Sequence, residues 1–294
     1  MPVIPLLLTR SLPSRAILRR STTTRAFAVT RATSPTVPLR ANLKPRKRPS
    51  LAIASLLGLV AAGATLTTPL LLDAAPAQII VDPDSGLAVP TEKSLAGSQF
   101  HLVGLGVRQV TLLNFNVYVA ALYADEALLN AVKKADKWRK EYTPDTLING
   151  SDNAFYMKDL VRRRAELTLL IKTVRATTGT HLRQGFTRFL NARLAKDVKD
   201  GIFTDADEEN AADAAIRELE AKFPKGAIDK EEEMWFTKTK NGELRVEFQG
   251  RELAIVKSQW LSERFFEGYL AHEKPISNKF RKNVAESLQQ IVQS

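Results

Sequence analysis

One residue stands out as a group that could do chemistry. Arg108 sits between Val107 and Val110 in an otherwise apolar, β-rich stretch. A guanidinium in such surroundings must give up its water unless it meets an anion. It either takes an anionic group from outside, or it snorkels to the surface or pairs with a structural carboxylate. The residues alone leave both readings open. Composition removes several other chemistries. The chain has no cysteine, which excludes disulfides, thiolate nucleophiles, Cys-ligated zinc, iron–sulfur clusters and haem attached through thioether bonds. It has three histidines and no His-Glu-x-x-His, which argues against a multi-histidine metal site.

Several short patterns carry less than they suggest. Gly104-Leu105-Gly106-Val107-Arg108 begins like a dinucleotide fingerprint, but Gln109 stands where the third glycine belongs and no helix is expected to follow. Asp205, Asp207 and Glu209 resemble the start of a calcium loop, yet Asn210 replaces its glycine. Those acids suit a helix N-terminus better. Asn149-Gly150-Ser151 is a glycosylation acceptor only in a secreted protein. Arg162, Arg163 and Arg164 run together, a pattern that usually makes a solvated face.

The net charge of +11 on 294 residues points first to nucleic acid or anionic lipid. Its distribution says otherwise. Residues 1–72 hold eleven basic residues and no acid, the first being Asp73. Removing those eleven from the 43 Lys and Arg leaves 32 basic against 32 acidic residues. The basicity belongs to the leader, so no nucleic-acid partner is expected. Arg10, Arg15, Arg19, Arg20, Arg25 and Arg31 among Leu, Ser and Thr have the composition of a mitochondrial transit peptide. Arg25-Ala26-Phe27-Ala28 suggests a matrix-protease cut after Phe27, giving a presequence over 1–27 and a basic linker over 28–50.

From Leu51 to Leu72 the chain runs 22 residues without a charge. About 20 apolar residues span a bilayer as a helix, so 51–72 is read as a transmembrane anchor, with a processed sorting signal as the rival. Lys44, Arg46, Lys47 and Arg48 precede it, while Asp73, Asp82 and Asp84 follow. The positive-inside tendency keeps the basic flank in the matrix. The expected location is therefore the mitochondrial inner membrane, with the domain facing the intermembrane space.

Residues 73–90 read as a linker, and 91–294 as the folded domain. Gln99–Val110 and Thr111–Tyr123 look extended, the second buried on both faces. Asp125 can cap a helix running to about Lys140. Arg164–Val174 reads as a strand with Ala165, Leu167, Leu169 and Ile171 on one face. Thr180–Asp200 shows helical spacing of Leu182, Phe186, Phe189, Leu190 and Leu194, stopped by Gly201. Thr204 is expected to cap a second helix, Asp205–Lys222, ended by Phe223-Pro224. Glu232–Thr239, Glu243–Phe248 and Glu252–Val256 suggest a meander, its first turn a two-residue hairpin at Asn241-Gly242. Ser258 and Ser277 open two last helices. Strands, helices, strands, then helices argue an α+β fold rather than a doubly wound sheet.

These segments carry a resemblance. Ser98 to Arg108 followed by Asn116 to Tyr123 is similar to the opening of the chalcone–flavanone isomerase family. Phe223-Pro224-Lys225-Gly226, Trp235-Phe236, Asn241-Gly242-Glu243-Leu244, Trp260-Leu261-Ser262-Glu263 and Pro275-Ile276-Ser277 then follow in the family's order. The resemblance covers roughly Val89 to Ile291, and with the leader and apolar span the chain looks like the fungal mitochondrial branch. It implies an open-faced β-sandwich, a large mainly antiparallel sheet backed by helices, with a ligand cleft between them.

In the family's enzymes that cleft closes a chalcone to a flavanone by holding a near-attack conformer, with an Arg stabilising the anion. Arg108 falls at that Arg. The remaining catalytic positions do not carry over: they fall at Leu113, near His181, near Arg188, and near Lys279 or Phe280. Catalysis is therefore not expected, and an intramolecular lyase acting on an unknown substrate is the alternative, with Arg108 as its catalytic residue.

Relatives without the enzyme's residues include fatty-acid binders, and the fungal branch is associated with haem. Both ligands put a carboxylate on an apolar body, which suits an apolar cleft with an Arg. The resemblance thus implies a non-catalytic binder of haem or a fatty acid through Arg108, with Tyr118 and Arg188 as further cleft residues. His181 is the candidate axial ligand to haem iron, or else a surface histidine at a helix N-terminus. A third reading is a membrane-tethered interaction protein with a vestigial cleft.

Overall fold

A computed structural model describes residues 78–110 and 115–294. The expected presequence, basic linker and apolar span lie outside the described residues. Among the described residues no helix is long and apolar enough to cross a membrane.

Strand β1 (Ile79–Val81) pairs with β2 (Ala88–Pro90) as an antiparallel hairpin. Asp82 shapes its turn by accepting from the Ser85 N–H and hydroxyl at 2.8 and 2.6 Å. These residues were expected to be linker. They fold because Leu87 and Val89 have apolar surface to bury against the sheet behind them. Strand β3 (Glu92–Leu95) turns into β4 (Ser98–Val110) through Ala96 and Gly97, both at positive φ, as a two-residue hairpin demands. Strand β5 (Phe115–Asp125) follows.

Asp125 caps α1 (Glu126–Lys134), accepting from the Leu128 N–H at 2.8 Å. The single helix expected to reach Lys140 breaks at Ala135 and restarts as α2 (Asp136–Glu141). The break turns Trp138 inward, where it meets Tyr142 and Tyr156 at 4.7 and 4.9 Å and donates to Asp159 at 2.6 Å. Two further helices were not anticipated, α3 (Pro144–Ile148) and α4 (Asn153–Arg162). Strand β6 (Leu167–Thr173) is shorter than expected but shows the expected faces. After β7 (Thr177–Thr178) come α5 (Gly179–Lys199) and α6 (Ala206–Lys222), the latter capped by Asp205 rather than Thr204. Strand β8 (Ala227–Ile228) pairs with β7 and ties down the start of α5.

The expected meander is present as β9 (Glu233–Lys238), β10 (Leu244–Phe248) and β11 (Arg251–Val256). Its first turn is not a two-residue hairpin. Thr239 and Glu243 pair through the Thr239 N–H at 2.9 Å, enclosing three residues of which Gly242 alone has positive φ. That is the three-residue loop ending in a left-handed glycine. The two-residue turn lies instead at Gln249-Gly250, where both residues have positive φ. Helices α7 (Gln259–Leu270) and α8 (Asn278–Gln293) start at Ser258 and Ser277, as the sequence suggests.

Seven of the strands form one antiparallel sheet in the order β11-β10-β9-β6-β5-β4-β3, and β1-β2 and β7-β8 stand as separate pairs. The α+β class and the large sheet backed by helices are as expected. One face carries the main core with α5, α7 and α8; the other carries a smaller cluster with Leu87, Val89, Tyr123 and Trp235. Gly104 and Gly106 face α8. A Cβ on Gly104 would sit 2.8 Å from the Val284 Cα, and one on Gly106 would overlap the Phe280 backbone. The two glycines therefore serve helix-on-sheet contact, not a phosphate.

Candidate functional site

Arg108 follows Gly104 and Gly106 on the same face of β4, opposite Tyr118 on β5. The alternation that presents the two glycines to α8 presents Arg108 to the helix side one pair further along. Its Nη1 donates to the Tyr118 hydroxyl at 3.3 Å, and the guanidinium carbon lies 5.7 Å from that ring's centroid. Tyr118 in turn shares a 2.8 Å hydrogen bond with the hydroxyl of Tyr269 on α7. Among the described residues no carboxylate lies within 4.0 Å of Arg108. A guanidinium has five N–H donors, and among the described residues one of them meets a protein acceptor.

Burial opposes the charge on Arg108, but the Tyr118 and Tyr269 phenols and the Tyr118 hydrogen bond outweigh it, so its pKa lies above the ordinary value. Burial likewise pushes the Tyr269 phenol well above its usual range, with Tyr118 adding to the rise and Arg108 opposing it. At neutral pH the site is thus one cation and a protonated Tyr269. Such a pair can receive an anion; Tyr269 cannot take a proton from a substrate there.

Arg108, Val110, Val117, Tyr118, Leu182 and Phe186 line a cleft of about 60 Å³, with His181 and Gly185 at its α5 side. Behind it the space between sheet and helices is filled by aromatic rings. Phe186 lies 5.2 to 5.7 Å from Phe236, Phe265 and Phe223. Ligand pockets usually measure about 300–1,000 Å³. The cleft as it stands has room for a carboxylate head, and a longer body must lie along the mouth or displace Leu182 or Phe186.

The other expected site residues divide. Tyr118 is buried and in contact with Arg108; His181 lines the cleft but is exposed, in the first turn of α5 with its N–H on the Thr178 hydroxyl. Arg188 is exposed, about two turns further along α5, and does not line the cleft. Position 113 lies outside the described residues. Lys279 is at the surface, paired with Asp84 at 2.9 Å, and Phe280 is core. Tyr269 was missed. It was legible only as one more apolar position in Phe265, Phe266 and Tyr269, because nothing local reveals a hydroxyl partner 151 residues away. The donor set fits a carboxylate. His181, the expected axial ligand to haem iron, lines the cleft from an exposed position, and a porphyrin, like a fatty-acid tail, would have to lie along the mouth or displace Leu182 or Phe186.

The chalcone isomerase like family model matches residues 98–285. Among curated proteins the chain is similar to the Altered inheritance of mitochondria protein 18, mitochondrial, of Debaryomyces hansenii. The two are 23% identical over 217 residues, 69% of this chain and 71% of that protein. The protein of the same name from Kluyveromyces lactis is 23% identical over 212 residues, so that the match spans 65% of each. Among solved structures, the chain is similar to a fatty-acid binding protein of Arabidopsis thaliana. The TM-score is 0.56 at 22% identity, over 74% of this chain and 100% of the other. At that identity the likeness speaks for the fold.

Proposed function

The chain belongs to the chalcone isomerase-like family, and from that premise we propose that its Arg108 cleft is a non-catalytic binding site for an apolar molecule bearing a carboxylate, with a fatty acid as the first candidate. One observation carries the reading. Arg108 is partly buried beside apolar walls and has a phenol, but no carboxylate, within reach among the described residues. A partly desolvated guanidinium with unused donors is poised for a ligand carboxylate, which supplies paired charge-assisted hydrogen bonds. Tyr118 orients the guanidinium, and its O–H is free to donate to the ligand when Tyr269 is the donor of their shared bond. The fatty-acid binding described for the Arabidopsis relative agrees with this reading. Against catalysis stands the departure of this chain from the family's enzymes at every catalytic position but Arg108.

The test is a calorimetric titration of the full chain with saturated fatty acids of increasing length. Separate arms record a Soret band on adding haem and turnover of a chalcone. Saturable fatty-acid binding is expected, with neither a ligated haem spectrum nor turnover. Turnover would favour the lyase, and binding of nothing would leave a protein–protein role.

The aromatic fill adds a prediction. Phe186→Leu trims the ring that blocks the inner end of the cleft, and should lower stability by about 1 kcal/mol. It should also tighten binding of long chains relative to short ones. Equal affinities in wild type and variant would place the tail elsewhere.

We also place the protein in the mitochondrion, supported by its Arg-rich, acid-free leader and by its relatives' names. Anchoring by residues 51–72 in the inner membrane would put the domain in the intermembrane space. Protease should then digest the domain in mitoplasts; a domain that resists would lie in the matrix.

A further inference from the structure

The run Arg162-Arg163-Arg164 does not make a plain solvated face. It forms one wall of a second cavity of about 350 Å³, six times the size of the Arg108 cleft and sharing no lining residue with it. The other walls are Lys238 at the end of β9, Lys240 in the loop to β10, and Glu263 on α7. Five cations thus face one carboxylate. Arg162 is matched by Glu263 at 3.1 Å and Arg163 by Asp159 at 2.6 Å. Among the described residues Arg164, Lys238 and Lys240 have no carboxylate within 4.0 Å.

The site is built rather than incidental. Lys238 is buried, and its ammonium donates to the carbonyls of Arg163 and Ala165 at 3.0 and 2.9 Å, leaving one of its three N–H groups. Burial is the main reason its pKa is lowered, with Glu263, Asp125 and Glu166 opposing. The loop bearing Lys240 is fixed as well. Gly242 turns it at φ +80°, and its carbonyl accepts from the buried Ser262 hydroxyl of α7 at 2.7 Å. A buried ammonium, an exposed guanidinium and an exposed lysine therefore converge around a cavity of ordinary ligand size.

We propose that this cavity binds a phosphate-bearing molecule. Three unmatched cations call for more than one negative charge, and a phosphate supplies two together with oxygens that accept from Arg and Lys alike. A single carboxylate would leave most of the charge unmatched. The same headgroup chemistry comes from a soluble phosphate ester or from an acidic phospholipid, and the test separates them.

Equilibrium dialysis of the full chain is run with inorganic pyrophosphate and, separately, with a short-chain phosphatidic acid held below its micelle concentration. The double variant Arg164→Ala/Lys240→Ala should weaken binding about tenfold or more, while Lys282→Ala on α8 should leave it unchanged. Both altered side chains are exposed, so an unchanged melting temperature checks the fold. Pyrophosphate binding assigns a soluble ester; binding of the lipid alone assigns a headgroup. Binding of neither probe, or binding that the double variant leaves intact, overturns the proposal.

Discussion

Arg108→Met is expected to abolish carboxylate binding while leaving the unliganded protein about as stable as wild type. The substitution keeps an unbranched apolar stem and removes a cation that has no carboxylate within reach among the described residues. Removing one partner of a buried, hydrogen-bonded charge pair typically costs about 2–5 kcal/mol of binding. A fatty acid that binds the wild type should therefore no longer bind detectably. Stability should change little, because the desolvation that methionine avoids is offset by the Tyr118 and Tyr269 interactions it gives up. A shift within about 0.5 kcal/mol in a urea titration without ligand is the expected size. An Arg kept for structure would clearly lower stability when removed, and an Arg kept for a ligand lowers affinity. A clear loss of stability with binding intact would make Arg108 a structural residue.

Asp197→Ala should be the most destabilising single change in the helix layer. Asp197 on α5 is buried and accepts from Arg264 Nε at 2.6 Å and from the Trp260 indole at 2.8 Å, both on α7. Arg264 also pairs with Glu267, and Arg162 on α4 reaches Glu263 at 3.1 Å. Burial works against the charge on Arg264, but Glu267 and Asp197 outweigh it and hold its pKa above the ordinary value. Alanine at 197 strands half of that arrangement and leaves the indole N–H without its acceptor. Breaking a buried ion pair from one side costs about 3–5 kcal/mol. Denaturant unfolding should show a loss of that size, with the folding transition still cooperative. A loss below about 1 kcal/mol would mean that water reaches the network and that α5 is held by its apolar stripe alone.

That stripe was the part of the fold most open to reading. Leu182, Phe186 and Leu190 recur at helical spacing and are buried as their spacing requires. Helix caps were also legible, since Asp125, Ser258 and Ser277 each act through a side chain within three residues. What failed was decided by tertiary contact. Ala135 breaks a helix because Trp138 finds Tyr142 and Tyr156. At the site, Arg108 could be singled out as a charge in an apolar strand. Its partner Tyr269 and the small size of the cleft could not, since both depend on how α7 and α5 pack on a sheet assembled from distant segments.

A bound ligand carboxylate should sit ionised on Arg108. A fatty acid isotope-labelled at its carboxyl carbon reports this by NMR, bound to the full chain and titrated with acid. A cation beside a carboxylate favours its ionised form. The bound resonance should therefore keep its ionised position to a pH well below that at which the free fatty acid protonates, and Arg108→Met should lose the bound resonance. A bound carboxyl that titrates like the free acid, or one that survives unchanged in Arg108→Met, would contradict the account.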